Sequence, residues 1–128
     1  MFLYNYDNLK AITQTENGKK LISEVEKIYN KYFKNEPIPT TDYSLQKLIY
    51  KTGNRDLHQR IYYLRRKRFS LLQLLALAND DYLEDFENIL AVILEEYTWV
   101  LPAHNIQKDN TFDYTVIDLF SAETGYYL

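Results

Sequence analysis

Apolar residues recur along the chain at steps of three and four, the period of a helix with one buried face. Between Gly18 and Lys34 the positions are Leu21, Ile22, Val25, Ile28, Tyr29, Tyr32 and Phe33, with Thr13 or Thr15 placed to cap the N-terminus. The stretch "NEPIPTTD" then interrupts the pattern with two prolines. Asp42 can cap a short helix that closes at Gly53, where a left-handed residue ends helices most cheaply. A long helix is predicted from Asp56 to about Ala78. After "NDDY", Asp80 or Asp81 starts another, through Phe86, Ile89, Leu90, Ile93 and Tyr97. That helix runs toward Trp99 and the turn "EEYTWVLPAHN". A polar stretch "IQKDNTFD" follows, then a last helix from about Thr115 to the C-terminus. Strand-like alternation never extends beyond a few residues, and neither internal repeats nor low-complexity segments occur. The fold class this predicts is all-α, a single helical domain over 1–128 with about five helices.

Composition sharpens that picture. The 128 residues include 13 Tyr but only 3 Gly and 3 Pro, so turn chemistry is scarce and the elements must be few and long. With no cysteine there is no disulfide framework and no thiolate metal site. The opening "MFLYNYDNLK" has neither the basic stretch nor the apolar run of a secretory signal, and no apolar run reaches the roughly 20 residues of a membrane span. A cytoplasmic protein with no membrane partner is expected. Fifteen basic residues against 18 acidic ones give a net charge of −3, which argues against nucleic acid as a partner.

The long helix holds a local conflict. Leu57, Ile61, Leu64, Leu71 and Leu75 form a stripe whose missing position is Arg68, inside "LRRKRF". Arg68 can snorkel past the edge of the core, pair with a buried carboxylate such as Glu95, Glu96 or Glu123, or lie beside a seam that really runs through Phe69 and Leu72. It can also face a cavity and hold an anionic ligand in its planar fork. Glu95 and Glu96 sit near the C-terminal end of a helix, the unfavourable end for an anion, so at least one needs a cationic neighbour. His58 reads as an exposed residue near a helix start. His58 and His104 have no metal-ligand spacing, and Gly18, Gly53 and Gly125 are too scattered for a phosphate loop. Neither a metal nor a cofactor is expected.

The residues Trp99, Pro102, Ala103 and His104, followed by Asp118, Leu119, Phe120, Ala122, Glu123 and Thr124, resemble the N-terminal part of heparinase II/III-like polysaccharide lyases. The preceding "YYLRRKRFSLLQLLALAND" and "YLEDFENIL" resemble the two helices before that family's Pro-Ala-His turn, so the likeness covers roughly 56–128. The resemblance implies an incomplete (α/α) toroid whose inner loops line a sugar cleft. It also implies β-elimination of uronic-acid polysaccharides in full-length members, by groups that lie downstream of the part matched here. The chain alone is therefore expected to lack catalytic residues. Trp99 becomes a candidate sugar-stacking platform, with His104 and Asn105 as hydrogen-bonding partners and Arg68 as a fourth candidate. The competing reading makes Trp99 a corner plug and His104 a cap for helix carbonyls.

Two functions follow as expectations. One is a glycan-binding helical portion of a lyase-like protein, with an acidic polysaccharide or oligosaccharide as ligand. The other is a helical protein-interaction module with no sugar ligand. In either, Phe120, Tyr126, Tyr127 and Leu128 are expected to form an apolar patch able to support a homodimer through the last helix.

Overall fold

The computed structural model describes residues 6–105, 113 and 115–128. Among them are six α-helices and no strand: α1 (Tyr6–Thr13), α2 (Glu16–Tyr32), α3 (Tyr43–Thr52), α4 (Asp56–Ala78), α5 (Leu83–Leu94) and α6 (Leu119–Tyr127). Two short 3₁₀ turns, Asp80–Tyr82 and Pro102–His104, complete the order. No described helix is long and apolar enough to cross a membrane.

The ends of these helices follow from side-chain chemistry. Thr15 accepts a hydrogen bond from the Gly18 backbone N–H and starts α2. Asp42 accepts from Leu45 N and starts α3, which ends at Gly53 with φ 72°. The helix α1 has no counterpart in the apolar pattern, because it buries only Thr13 and leaves Tyr6 and Ile12 exposed. Three boundaries shift from expectation: α5 begins at Leu83, after a 3₁₀ turn that Asn79 caps, rather than at Asp80 or Asp81. The helix α5 stops at Leu94, so Trp99 lies in the turn rather than at a helix end, and Tyr97 is exposed. The helix α6 begins at Leu119 rather than near Thr115, because Asp118 and Ser121 cap each other there. Most of the polar stretch "IQKDNTFD" lies outside the described residues.

The chain divides into two compact units, Met1–Ile38 with Lys67–Leu94, and Pro39–Arg66 with Glu95–Leu128. In the first, Val25, Tyr29 and Phe33 are buried, as are Phe69, Leu72 and Leu75 of α4 and Ile89 and Ile93 of α5. Phe69 stacks on Phe86 with ring centroids 5.5 Å apart, and Tyr29 meets Tyr82 edge to face at 5.8 Å. The Tyr29 hydroxyl donates to Asp85 at 2.6 Å. In the second unit α3 packs against the Pro102–His104 turn, and Ile49, Ile61, Tyr62, Val100 and Leu101 are buried.

The buried seam of α4 runs through His58, Ile61, Arg65, Arg68, Leu72 and Leu75, flanked by Tyr62, Phe69 and Ala76. Leu72 therefore lies in the seam and Phe69 is buried at its flank, whereas Leu57 is exposed and Leu64 and Leu71 are only half-buried. Three of the six seam positions are basic side chains, which explains why a purely apolar stripe misplaces it.

Candidate functional site

The second unit is organised around one carboxylate. Glu96 Oε1 accepts from Arg65 Nη1 at 2.9 Å and from Arg66 Nη1 at 2.6 Å, and Oε2 accepts from Arg66 Nη2 at 2.6 Å. The Arg66 pairing is two-pronged, the geometry in which a guanidinium and a carboxylate match best. The Glu96 and Arg65 side chains are only 9% and 5% exposed. Arg65 also donates from Nε to the Pro39 carbonyl at 2.7 Å, tying down the proline-rich segment. The partner anticipated for Glu95 or Glu96 is thus a pair of arginines, and neither is Arg68.

Arg66 lies over the Tyr62 ring, 3.8 Å from its centroid. The Tyr62 hydroxyl stands 3.1 Å from Thr124 Oγ1, 3.2 Å from the Phe120 carbonyl and 3.4 Å from the Trp99 carbonyl. Thr124 in turn donates to the Phe120 carbonyl at 2.8 Å. One tyrosine therefore fastens α6 and the Trp99 turn to α4. Burial raises its pKa above the ordinary value, so it remains a donor.

His58 is buried, not exposed, and its Nδ1 has no hydrogen-bond partner. Burial lowers its pKa; Glu96 pulls the other way, while Arg65 and Arg66 add to the lowering. The imidazole is neutral beside a cluster that already carries two cations and one anion.

A second cluster surrounds Asp118. Its Oδ1 accepts from Ser121 N at 2.8 Å, and its Oδ2 accepts from Leu101 N at 3.1 Å and bonds His104 Nδ1 at 2.7 Å. Burial by itself would raise this carboxyl, but those hydrogen bonds outweigh it and hold its pKa below the usual value. Asp118 thereby performs two tasks, capping α6 and orienting the imidazole. With Nδ1 turned to the carboxylate, His104 keeps Nε2 for solvent or a ligand, and its side chain is 39% exposed.

The four residues singled out from sequence lie in different settings. Arg68 belongs to the first unit, where Nη1 donates to the Glu36 carbonyl at 2.8 Å and Nε is buried without a partner. Asn105 is buried and clasps Asp113, donating to its carbonyl at 2.8 Å and accepting from its N–H at 3.0 Å. Trp99 is half-buried beside α6, where a Cβ on Gly125 would stand 3.9 Å from Cζ3. His104 alone of the four combines an ordered ring with substantial exposure.

Tyr63, which local sequence patterns do not single out, completes the surface around it together with Phe120. Phe120 is half-buried, 5.6 Å from the His104 ring and 5.9 Å from the Tyr63 ring, and Tyr63 is 46% exposed. Phe120 thus turns toward Tyr62, Tyr63 and His104 instead of joining the expected terminal patch. The exposed apolar residues there are Ile117, Leu119, Tyr126, Tyr127 and Leu128. Among the described residues no group of His, Asp and Glu is arranged to hold a metal ion.

No family model, curated protein or solved structure matches the chain.

Proposed function

We propose that the chain is a helical binding module whose ligand is a glycan, held on the face formed by Tyr63, Phe120 and His104. The observation that carries this reading is the run of three neighbouring rings ending in an imidazole fixed by a buried carboxylate. An aromatic face is electron-rich and attracts the C–H side of a sugar ring, while an oriented Nε2 selects among hydroxyls. The heparinase II/III-like resemblance supports the same ligand class, with the chain as the N-terminal helical portion of a sugar-lining toroid. Recognition is through hydroxyls more than through uronate carboxylates, since Arg65 and Arg66 are already committed to Glu96. The module acts by binding, and the elimination chemistry of the lyases belongs to groups outside it.

Calorimetric titration with neutral and uronate-containing oligosaccharides tests this. Binding should be seen and should weaken by about tenfold or more in Tyr63→Ala and in His104→Ala, each of which removes roughly 1.4 kcal/mol or more of contact. A chain that binds no oligosaccharide, or binds equally well after both changes, rules the reading out. Incubation with alginate, hyaluronan or heparan sulfate should generate no ultraviolet absorbance from unsaturated uronate.

The second reading, a protein-interaction module, is favoured by one specific observation. Ile117, Leu119 and Tyr126 are 79%, 77% and 67% exposed, more apolar surface than a sugar requires. Under it, sedimentation shows association that Leu119→Ser with Tyr126→Ser abolishes, and oligosaccharides have no effect.

A further inference from the structure

The protons around Asp118 follow from its heavy-atom partners. Its carboxylate accepts from Ser121 N at 2.8 Å and from Leu101 N at 3.1 Å, one donor on each oxygen. These bonds favour the ionised form, so Asp118 has no proton to give. The 2.7 Å contact to His104 therefore requires Nδ1 to be the donor. In a neutral imidazole the other nitrogen then carries a bare lone pair. Nε2 of His104 is thus an acceptor, and among the described residues nothing pairs with it.

The direction of that hydrogen bond narrows the ligand. A carboxylate offers only acceptors, so a uronate would set lone pair against lone pair, with the Asp118 charge behind the ring. A hydroxyl can donate here, but it also accepts, and half of its capacity would face no donor on this surface. An amide N–H only donates. Phe120 adds a second requirement, because its ring stands 5.6 Å from the imidazole at a tilt of 31°. Whatever meets Nε2 therefore lies beside an apolar face. A donor N–H with a methyl group close by satisfies both demands, and an acetamido group on a sugar carries that pair. Tyr63, exposed and 5.9 Å from Phe120, then offers its ring to the C–H side of the pyranose.

We infer that the Tyr63–Phe120–His104 face selects neutral glycans built from N-acetylated amino sugars. The acetamide N–H donates to His104 Nε2, the acetyl methyl covers Phe120, and the sugar ring lies on Tyr63. This inference rests on the glycan reading of the face and names the substrate class within it.

The probes are chitotriose, whose three sugars each bear an acetamide, and cellotriose, which has the same linkage with hydroxyls in those positions. Both are titrated calorimetrically into the full chain at about pH 8, where an imidazole is neutral. Chitotriose should bind about tenfold or more tightly than cellotriose, the worth of one hydrogen bond together with a covered methyl. His104→Ala should remove that preference and leave the two trisaccharides nearly equal, since the group that tells them apart is gone. Nitrogen-15 spectra of the free chain should show His104 protonated at Nδ1 and bare at Nε2. A proton on Nε2 overturns the inference and leaves glycan binding itself untouched. Equal binding of the two probes does the same, as does a preference for chitotriose that survives His104→Ala. Failure of chitotriose to bind also overturns it, and the glycan reading falls with it only if the other neutral and uronate-containing oligosaccharides are inert too. Should His104→Ala disturb the turn, the nitrogen spectrum and the two titrations of the unaltered chain decide the matter.

Discussion

Glu96 is the shared counter-charge of two guanidinium groups, and its removal would leave both in a poorly hydrated setting. Breaking such a buried pair from one side costs far more than the pair contributes over an apolar replacement. Glu96→Ala should therefore destabilise the chain by about 3–5 kcal/mol, measured by urea denaturation. His58 yields a second prediction from the same cluster. Its pKa lies below the usual 6.5 in the fold, so the unfolded chain binds more protons as the solution is acidified. The stability it contributes is complete above pH 6.5 and is lost as pH falls from there toward the folded value. Melting temperatures followed through this window should decline in the wild type and decline less in His58→Gln. Little of this cluster can be read along the chain. Glu96 announces its need for a cation by its position, but Arg65 and Arg66 lie 31 and 30 residues upstream. Local periodicity has no means of pairing residues so far apart.

Helix boundaries are most legible in the sequence wherever the signal is local. Asp42 and Gly53 delimit α3, and Thr15 starts α2, because caps act within three or four residues. The start of α6 lies four residues beyond the expected Thr115, since the Asp118–Ser121 reciprocal cap falls inside a stretch that reads as helical throughout. Asp118→Ala removes that cap and the orientation of His104, and should cost about 1–2 kcal/mol. A matching loss of helical signal in circular dichroism would place the damage in α6. The turn between α1 and α2 gives another prediction at this scale. A Cβ on Gly18 would overlap the Ile12 carbonyl oxygen and approach Thr13 Cα to 2.9 Å, so the two helices could not keep their junction. Gly18→Ala should lower stability by about 1–3 kcal/mol in thermal denaturation, even though alanine is the better helix former. The short α1 itself leaves no trace in the apolar pattern, having almost no buried face to generate one.

At the scale of the molecule the helical class is readable from sequence, and the division into units is not. The pattern along α4 is continuous, and nothing in its sequence marks Arg66 as the last residue of one unit and Lys67 as the first of the other. Each unit is made of two separate stretches of chain, so its membership is settled by long-range packing that local signals do not encode. The face proposed to bind glycan inherits the same obscurity. The Tyr63–Phe120–His104 face joins residues from α4, α6 and the Pro102 turn.

Interleaved membership also sets a timetable for a chain made from its N-terminus. Pro39–Arg66 leaves the ribosome early but must wait for Glu95–Leu128, while the first unit has all its pieces once Leu94 has emerged. At roughly 5–20 residues per second the delay between Arg66 and Glu95 lasts a few seconds. Throughout it the nascent chain carries Arg65 and Arg66 without their carboxylate and Tyr62 without α6. The first unit can close as that interval ends with Leu94, whereas the second, with the aromatic face, is assembled only after the stretch through α6 has followed.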